Sequence, residues 1–267
     1  MLRPDLNRTG IFRSSVLVVI VNYVGVPLLI VYVFAMFLYP WFDGPGDWGH
    51  VQNVWDRWQT FNAGALAFVA SLVAFNIARF NENLQREREF VASKAFLPST
   101  LSGLMEYCSR SATIYRELWN LNGQMPAHTE YPSLPPDYRE VFSNCVRHAD
   151  SAVGSYLSGI LVRLQVHAAR LRDDVSQINE ASNPVDRDTL IVYIYRLGEL
   201  YALIGNLFGF ARGEQPFEGR NLSWEDFRNA YGVLDIDIED VFISEVMNLQ
   251  AFTMRALKRS DDQTPSE

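Results

Sequence analysis

Two long stretches without a formal charge stand in the first third of the chain, at residues 14–42 and 58–78. A helix rises about 1.5 Å per residue, so about 20 residues cross a hydrocarbon core of about 30 Å. Each stretch is therefore long enough to span a membrane, whereas a buried helix of a soluble protein needs only about 10 to 14 apolar residues. We predict two transmembrane helices.

The first stretch differs from a cleaved signal peptide, which would have a shorter apolar core followed by a small-residue cleavage site. Gly25 and Pro27 lie near its middle. Because proline removes a backbone hydrogen-bond donor, a kink is expected there.

The second stretch is less hydrophobic and carries a stripe of small side chains at spacings of three or four residues. Small side chains let a neighbouring helix approach closely in lipid, so the stripe predicts helix packing. Asn62 and Asn76 lie in the same stretch. We interpret them as interhelical or interfacial hydrogen-bonding groups, with a polar pathway as the alternative. The members of the stripe are Ala63, Ala67, Ala70, Ala74 and Ala78.

Residues 43–57 are too few for a domain and predict a loop that joins the two membrane helices. Tryptophans gather at membrane interfaces, and basic residues gather on the cytoplasmic side. Tryptophans stand at the loop end of the predicted helix pair, whereas basic residues stand at its opposite end. Both termini are therefore expected in the cytoplasm. The tryptophans beside the loop are Trp41, Trp48, Trp55 and Trp58. The basic residues at the opposite end are Arg3, Arg8, Arg13, Arg79, Arg86, Arg88 and Lys94.

Helical patterns continue into a charged region after the second stretch. Residues 79–95 predict that the second membrane helix extends as a stalk, which Pro98 breaks. A helix is expected at residues 101–119, and the proline-rich residues 122–136 predict a loop. A long apolar stripe follows and predicts one helix, or two with a break at Asp150-Ser151. Its members are Tyr138, Phe142, Cys145, Ala149, Ala152, Tyr156, Ile160, Leu164, Ala168, Leu171, Val175 and Ile178.

The last third of the chain predicts three more helices. Asn183-Pro184 favours a turn, and Asp186 or Asp188 can cap a helix at residues 189–211. The charge-free part of that helix is short, so we interpret it as a central buried helix, with a third span as the alternative. Ser223 to Asp226 resembles a capping box at the start of a helix, and two C-terminal helices are expected from there on.

Together these patterns predict an all-α protein, with an N-terminal two-helix transmembrane hairpin followed by a cytoplasmic helical domain of long helices. The predicted parts are a basic N-terminus with the first transmembrane helix (1–42), a short extracytoplasmic loop (43–57), the second transmembrane helix with its stalk (58–98), the cytoplasmic domain (99–260) and a polar tail (261–267).

Charge separates the two parts and limits the partners. Residues 1–98 hold 8 Lys/Arg and 7 Asp/Glu, whereas residues 99–267 hold 15 and 24. Binding to a nucleic acid backbone needs a cationic surface, so no nucleic acid partner is expected. The expected partners are the lipid bilayer and either another protein or further copies of this chain.

Two patterns resemble a dinucleotide-binding motif and a metal site, but their sequence context or spacing does not fit either function. Gly44, Gly46 and Gly49 form a GxGxxG, but a dinucleotide site needs a preceding strand, and here a membrane helix precedes it. His148 and His167 are nineteen residues apart, which places them about 100° apart around a helix and argues against a shared metal.

The sequence also lacks the residues or spacings of a calcium-binding loop and of several known enzyme motifs. An acidic run begins at Asp235 but lacks the glycine and glutamate that an EF-hand requires at its sixth and twelfth positions, so we interpret it as acidic residues at a helix N-terminus. Arg163 and His167 are too close in sequence for the Arg-His motif of HEPN ribonucleases. The chain contains no Walker motif, HExxH or GxSxG. The run consists of Asp235, Asp237, Glu239 and Asp240.

Two cysteines, Cys108 and Cys145, lie in helical patterns and form no CxxC pair, so we interpret them as free buried thiols. A disulfide or a catalytic thiol acting with a histidine is the alternative. We assign no catalytic, cofactor-binding or metal-binding residue and expect no cofactor. If the protein is an enzyme, its site must be assembled from distant residues such as His167 and Arg170.

Several short segments are similar to segments of another group of proteins. They are Trp58-Gln59-Thr60, Ala63-Gly64, Ala95-Phe96-Leu97-Pro98 with Leu101-Ser102, Leu104 and Tyr107, and Leu164-Gln165-Val166 with Ala169-Arg170-Leu171. Over residues 58–172 the chain resembles a group of small, uncharacterised bacterial inner-membrane proteins. The resemblance implies a bacterial inner-membrane location and transfers no activity or site residue.

Three functions of different class fit these observations. The first is a non-enzymatic, membrane-anchored interaction or accessory protein, favoured by an apolar stripe longer than one domain core usually needs. The second is a membrane-perturbing effector of an anti-phage or toxin system, favoured by the small-residue stripe and the two asparagines. The third is an enzyme with an unrecognised site in the helical domain.

Overall fold

The computed structural model describes residues 21–44, 46–124, 130–181, 184–244 and 247–263. Its fold is all-α, as predicted. The chain forms two compact units, Met1–Asn81 and Glu82–Glu267. Four predicted features lie outside the described residues. They are the basic flank at residues 1–13, the start of the first apolar stretch, the centre of the 122–136 loop and the end of the polar tail.

The described part of the first unit begins with an apolar helical run. It consists of a π-helical turn at Val21–Gly25, helix α1 at Val26–Val33, a second π-helical turn at Phe34–Leu38 and helix α2 at Tyr39–Asp43. Pro27 lies in the first turn of α1, directly after the π-helical turn, where its ring removes one backbone N–H donor from the helical run. The change from π to α geometry therefore falls at the predicted kink.

Two further helices complete this part of the chain. Helix α3 covers Trp48–Arg57 and is capped by Asp47, whose carboxylate accepts the backbone N–H of His50 at 2.8 Å. Helix α4 covers Gln59–Lys94 and continues into the second unit. Its length agrees with the predicted stalk.

Helix α4 packs against the described part of the apolar run through one side. The Tyr32 hydroxyl donates to Asn62 Oδ1 at 2.9 Å, and Gly25 lies against Leu72. At 100° per residue, Asn62, Leu72 and the partly buried Val69 share one face. The small-residue stripe from Ala63 to Ala78 lies on the opposite face and is exposed, so it takes no part in this contact.

The second unit is built from the end of α4 and seven more helices whose bounds the structure describes. They are α5 (Leu97–Asn120), α6 (Tyr138–His148), α7 (Ser151–Ala181), α8 (Arg187–Gly205), α9 (Phe208–Arg212), α10 (Trp224–Val233) and α11 (Leu249–Gln263). A short antiparallel pair, β1 (Phe242–Ser244) and β2 (Met247–Asn248), precedes α11 and was not predicted.

Helix α8 lies at the centre of this unit and packs against α5, α7, α10 and α11. Gly198 permits one close approach, because a Cβ there would lie 2.5 Å from the ring of the buried Tyr231. Pro98 stands in the first turn of α5, so the helix break predicted near it is present between α4 and α5.

The long apolar stripe forms two helices, one of the two predicted arrangements. Ala149 adopts an extended conformation after α6, and Asp150 accepts the backbone N–H of Val153 at 2.9 Å at the start of α7. Early in α7, Val153 and Leu157 are buried, whereas the predicted Ala152 is exposed and the predicted Tyr156 is partly buried. From Ile160 to Val175 the predicted stripe positions are buried, so the stripe keeps its helical spacing.

The stalk part of α4 is attached to the end of α6. The Arg86 guanidinium donates to the carbonyl oxygens of His148 and Ala149, and Glu89 lies 3.1 Å from His148 Nδ1. A cation at a helix C-terminus satisfies carbonyl groups that have no partner within the helix. These contacts belong to the second unit.

Two predicted helix caps are present, but the predicted location of the acidic run at a helix N-terminus is wrong. Asp186 caps α8 through the backbone N–H of Thr189, and Ser223 forms a capping box with Asp226 at the start of α10. The acidic run from Asp235 does not begin a helix. It lies in turns between α10 and β1, where the chain takes a left-handed conformation at Asp235 (φ 56°).

Three described helical segments are long and apolar enough to cross a membrane: Tyr23–Asp43, Gln59–Lys94 and Arg187–Arg212. They differ in how much of the apolar window is buried within the protein, at 12%, 6% and 61% respectively. Most of the third window is thus covered by other helices of the second unit, which agrees with its interpretation as a central buried helix.

Candidate functional site

A cleft in the second unit brings together polar side chains from α5, α7 and α8. It has a volume of about 180 Å³. Its lining side chains include His167 and Arg170, the pair that the sequence suggested for an assembled site. The other residues that line it are Tyr115, Val162, Arg163, Val166, Tyr193, Arg196 and Glu199.

His167 is held at the back of the cleft by two tyrosines of α5. The Tyr107 hydroxyl lies 3.0 Å from Nδ1, and the Tyr115 hydroxyl lies 3.3 Å from Nε2. A neutral imidazole donates through one nitrogen and accepts through the other, so these two contacts satisfy both nitrogens. Burial lowers the pKa of His167 to about 4, which keeps it neutral at pH 7.

This environment does not suit a general base or a metal ligand. Both functions need a ring nitrogen that reaches a substrate or a metal ion. In His167 both nitrogens contact tyrosine hydroxyls, and burial raises the pKa values of Tyr107 and Tyr115. The tyrosines therefore stay protonated and keep the imidazole bound between them.

Glu199 joins two arginines at the mouth of the cleft. Its carboxylate accepts from Arg163 Nε at 3.2 Å and from Arg196 Nη1 at 2.8 Å. The Glu199 side chain is only 12% exposed, whereas the two arginine side chains are about half exposed. Arg163 and Glu199 also line a neighbouring cleft of about 250 Å³, so their ion pair borders both spaces.

A second carboxylate lies beside the cleft. The Tyr193 hydroxyl donates to Asp174 Oδ1 at 3.4 Å, while Oδ2 is buried and has no hydrogen-bond partner in the described part of the chain. Burial raises the pKa of Asp174, and the nearby Arg170 opposes that shift.

The remaining candidate residues lie elsewhere in the fold. His148 contacts Glu89 and does not approach His167 in the described contacts. Cys108 and Cys145 are free and fully buried, as predicted, and burial raises the pKa of Cys145 to about 11. Among the described residues, no cluster of His, Cys, Asp or Glu is arranged to hold a metal ion.

The glycine-rich motif has the wrong context for a dinucleotide site. Helix α2 ends at Asp43, directly before it, and Asp47 within the motif serves as the cap of α3. Pro45 lies outside the described residues. A dinucleotide fingerprint would require a strand in place of α2.

Sequence reasoning named Arg170 but missed Arg196 and Glu199, and it considered Arg163 only for a nuclease motif, although the spacing of these residues contained a signal. Arg163 and Arg170 are seven residues apart, which is close to two helical turns, so they share a face of α7 with His167 between them. Arg196 and Glu199 are three residues apart on α8 and also share a face. The pairing of α7 with α8 could not be derived from these spacings.

The first unit contains a second candidate region, where α1 and α4 meet. Its groove is largely apolar and has a volume of about 700 Å³. Asn62 receives a hydrogen bond from Tyr32, while its own Nδ2 is buried without a partner among the described residues. Asn76 Nδ2 donates to the Leu72 carbonyl at 3.0 Å, so it is bonded within its own helix.

Comparison of the chain with models of known families, with characterised proteins and with solved structures finds no match.

Proposed function

We propose that this chain is a two-span membrane protein whose helical domain acts as a non-catalytic interaction or accessory module. One observation carries the membrane part of the proposal. The apolar windows of Tyr23–Asp43 and Gln59–Lys94 are only 12% and 6% buried by protein. Helices that are apolar and unburied over this length need lipid around them.

The side chains within these windows support a lipid environment. Large apolar groups project from both segments and are more than half exposed, including Ile30, Phe34, Leu66 and Phe68. A soluble protein rarely exposes apolar surface of this extent. Tyr and Trp side chains stand near the α2–α3 end, as expected at an interface.

The proposed orientation in the membrane follows from the positions of the basic residues. Arg79, Arg86, Arg88 and Lys94 follow the apolar part of α4, and such residues favour the cytoplasmic side. The second unit then lies in the cytoplasm of a bacterial cell, anchored to the inner membrane. Helix α8 stays in the domain, because 61% of the apolar window at Arg187–Arg212 is buried within the protein.

The second unit favours an interaction role over catalysis. Three groups suited to covalent or acid–base chemistry there are sequestered: Cys108 and Cys145 are fully buried, and both nitrogens of His167 are hydrogen-bonded. Reactive cysteines in enzymes are partly exposed and have lowered pKa values, which is the opposite of what burial does here.

A second candidate function is a membrane effector that acts by assembling its spans. The exposed small-residue stripe favours it, because the stripe lies opposite the face of α4 that contacts α1 and is thus open to a helix of another copy.

The mass of the full-length protein in detergent, measured by light scattering, separates the two functions. The accessory role predicts a monomer or dimer whose mass is unchanged in Ala70→Leu and Ala74→Leu. The effector role predicts a larger assembly that both substitutions break, because leucine blocks close approach of helices. Phe75→Leu, about 100° around the helix from the stripe, is the control and leaves any assembly intact.

A large assembly sensitive to the two leucine substitutions would contradict the accessory role. A monomer or dimer, in contrast, would contradict the effector role.

A further inference from the structure

The cleft between α7 and α8 is cationic although the surrounding domain is acidic. Three arginines line it, and Glu199 is the only carboxylate among its described lining residues. Residues 99–267 as a whole hold 15 Lys/Arg and 24 Asp/Glu. Even when Asp174 beside the cleft is included, the positive charges exceed the negative ones. Three guanidinium groups in one small space repel each other unless an anion lies among them.

Arg170 is the least compensated of the three. Among the described residues, it has no ion pair and no hydrogen bond. Its charge nevertheless acts on Tyr115, Tyr193 and Asp174, which places it beside the aromatic wall of the cleft. Arg170 is exposed and lines the cleft, so its guanidinium is available to a ligand without the loss of a bond within the described part of the chain.

The other two arginines also retain unused donors. Arg163 donates to Glu199 and to the Gly159 carbonyl, and Arg196 donates to Glu199. A guanidinium carries five N–H groups, so most donors of the three arginines have no acceptor in the described part of the chain. The fork of N–H groups in arginine matches the two oxygens of a carboxylate or phosphate.

The size of the cleft limits the ligand. A volume of about 180 Å³ is below the roughly 300 to 1,000 Å³ of pockets for drug-sized molecules. The space suits an anion with few non-hydrogen atoms. Tyr115, Val162, Val166 and Tyr193 supply an apolar and aromatic wall for the part of the ligand between its charged groups.

We propose that this cleft binds a small anion with one or two phosphate or carboxylate groups, held by Arg163, Arg170 and Arg196. Glu199 is bonded to both Arg163 and Arg196 in the structure. The ligand competes with Glu199 for these two arginines and bonds Arg170 directly. This site is independent of the membrane topology and of the interaction role proposed above.

Titration calorimetry on the full-length protein in detergent, with inorganic pyrophosphate at constant ionic strength, tests the proposal. Saturable binding is expected. Arg170→Gln should weaken it about tenfold or more, because the variant loses a positive charge and its charge-assisted hydrogen bonds to the anion. Arg170 makes no native ion pair among the described residues, so the variant should fold normally. Arg110→Gln, which removes an exposed arginine of α5 paired with Glu106, is the control and should bind as the wild type does.

Glu199→Gln provides an independent check. It removes the competing carboxylate, so pyrophosphate should bind several-fold more tightly. Succinate in place of pyrophosphate shows whether the site prefers carboxylate or phosphate groups, and binding of either anion supports the proposal. The proposal is overturned if neither anion gives saturable heat, or if Arg170→Gln binds pyrophosphate as tightly as Arg110→Gln.

Discussion

At the scale of single residues, His167 shows how this domain accommodates a titratable group in its interior. The imidazole is 6% exposed and bonded to Tyr107 and Tyr115. Burying a charged imidazole would cost far more than burying a neutral one, so the folded state disfavours protonation. The consequence is a domain whose stability depends on pH through this residue.

We expect the His167→Gln variant to lose part of the acid sensitivity of the wild type. The folded-state pKa of His167 is about 4, below its ordinary value of 6.5. Between these values the unfolded chain binds a proton that the folded protein does not, so wild-type stability falls as pH drops from about 6.5 and levels off below about 4. Glutamine can still bond both tyrosines but does not titrate.

Chemical unfolding of the detergent-purified protein at pH 7 and pH 4.5 measures this effect. The wild type should lose roughly 2 kcal/mol more than His167→Gln between the two pH values. Equal losses in both proteins would show that His167 does not titrate in this way.

At the scale of helices, the contact between α8 and α10 depends on one missing side chain. Gly198 faces the ring of Tyr231, which is fully buried and whose hydroxyl lies 2.9 Å from Thr253 Oγ1. The ring is fixed by these neighbours and cannot move aside easily. Gly198→Ala should therefore destabilise the protein by about 1 to 3 kcal/mol, despite the better helix propensity of alanine.

Gly232→Ala is the matched control. It lies in α10 with open space around its Cβ position, so alanine should be neutral or stabilise by up to about 1 kcal/mol. Thermal unfolding of both variants beside the wild type gives the comparison. Equal melting temperatures for the two variants would contradict a tight α8–α10 contact.

The helices themselves follow closely from local patterns in the sequence. Apolar spacing, Pro98 and the caps at Asp186 and Ser223 are local features, and each one is present in the structure. The break between α6 and α7 was only one of two predicted arrangements, because apolar spacing alone does not decide whether the backbone is interrupted. The turns after α10 were missed because an acidic run also suits a helix N-terminus.

The cleft was harder to derive than the helices because it depends on tertiary contacts. The sequence offered His167 and Arg170 as examples for an assembled site, and both line the cleft because they are three residues apart on one helix. Arg196 and Glu199 come from α8, and Tyr115 comes from α5. Nothing local indicates that these helices meet at this level, so their side chains could not be assigned to the same site.

At the scale of the whole molecule, we propose two helices in the membrane and one domain on its cytoplasmic side. Helix α8 is the main competitor, since Arg187–Arg212 is also long and apolar enough to cross. A crossing by α8 would expose its neighbours α5, α7 and α10 to a different solvent and would disrupt the core that contains Leu197 and Tyr231.

The most direct measurement is labelling of single engineered cysteines by a membrane-impermeant maleimide. Cys108 and Cys145 are fully buried and so should give little background. The new cysteines are Gln52→Cys in α3, Arg110→Cys in α5 and Asn229→Cys in α10, all at exposed positions. Gln52→Cys should be labelled in intact cells, whereas Arg110→Cys and Asn229→Cys should be labelled only after the membrane is permeabilised. Labelling of Asn229→Cys in intact cells, or protection of Gln52→Cys there, would contradict the two-span account.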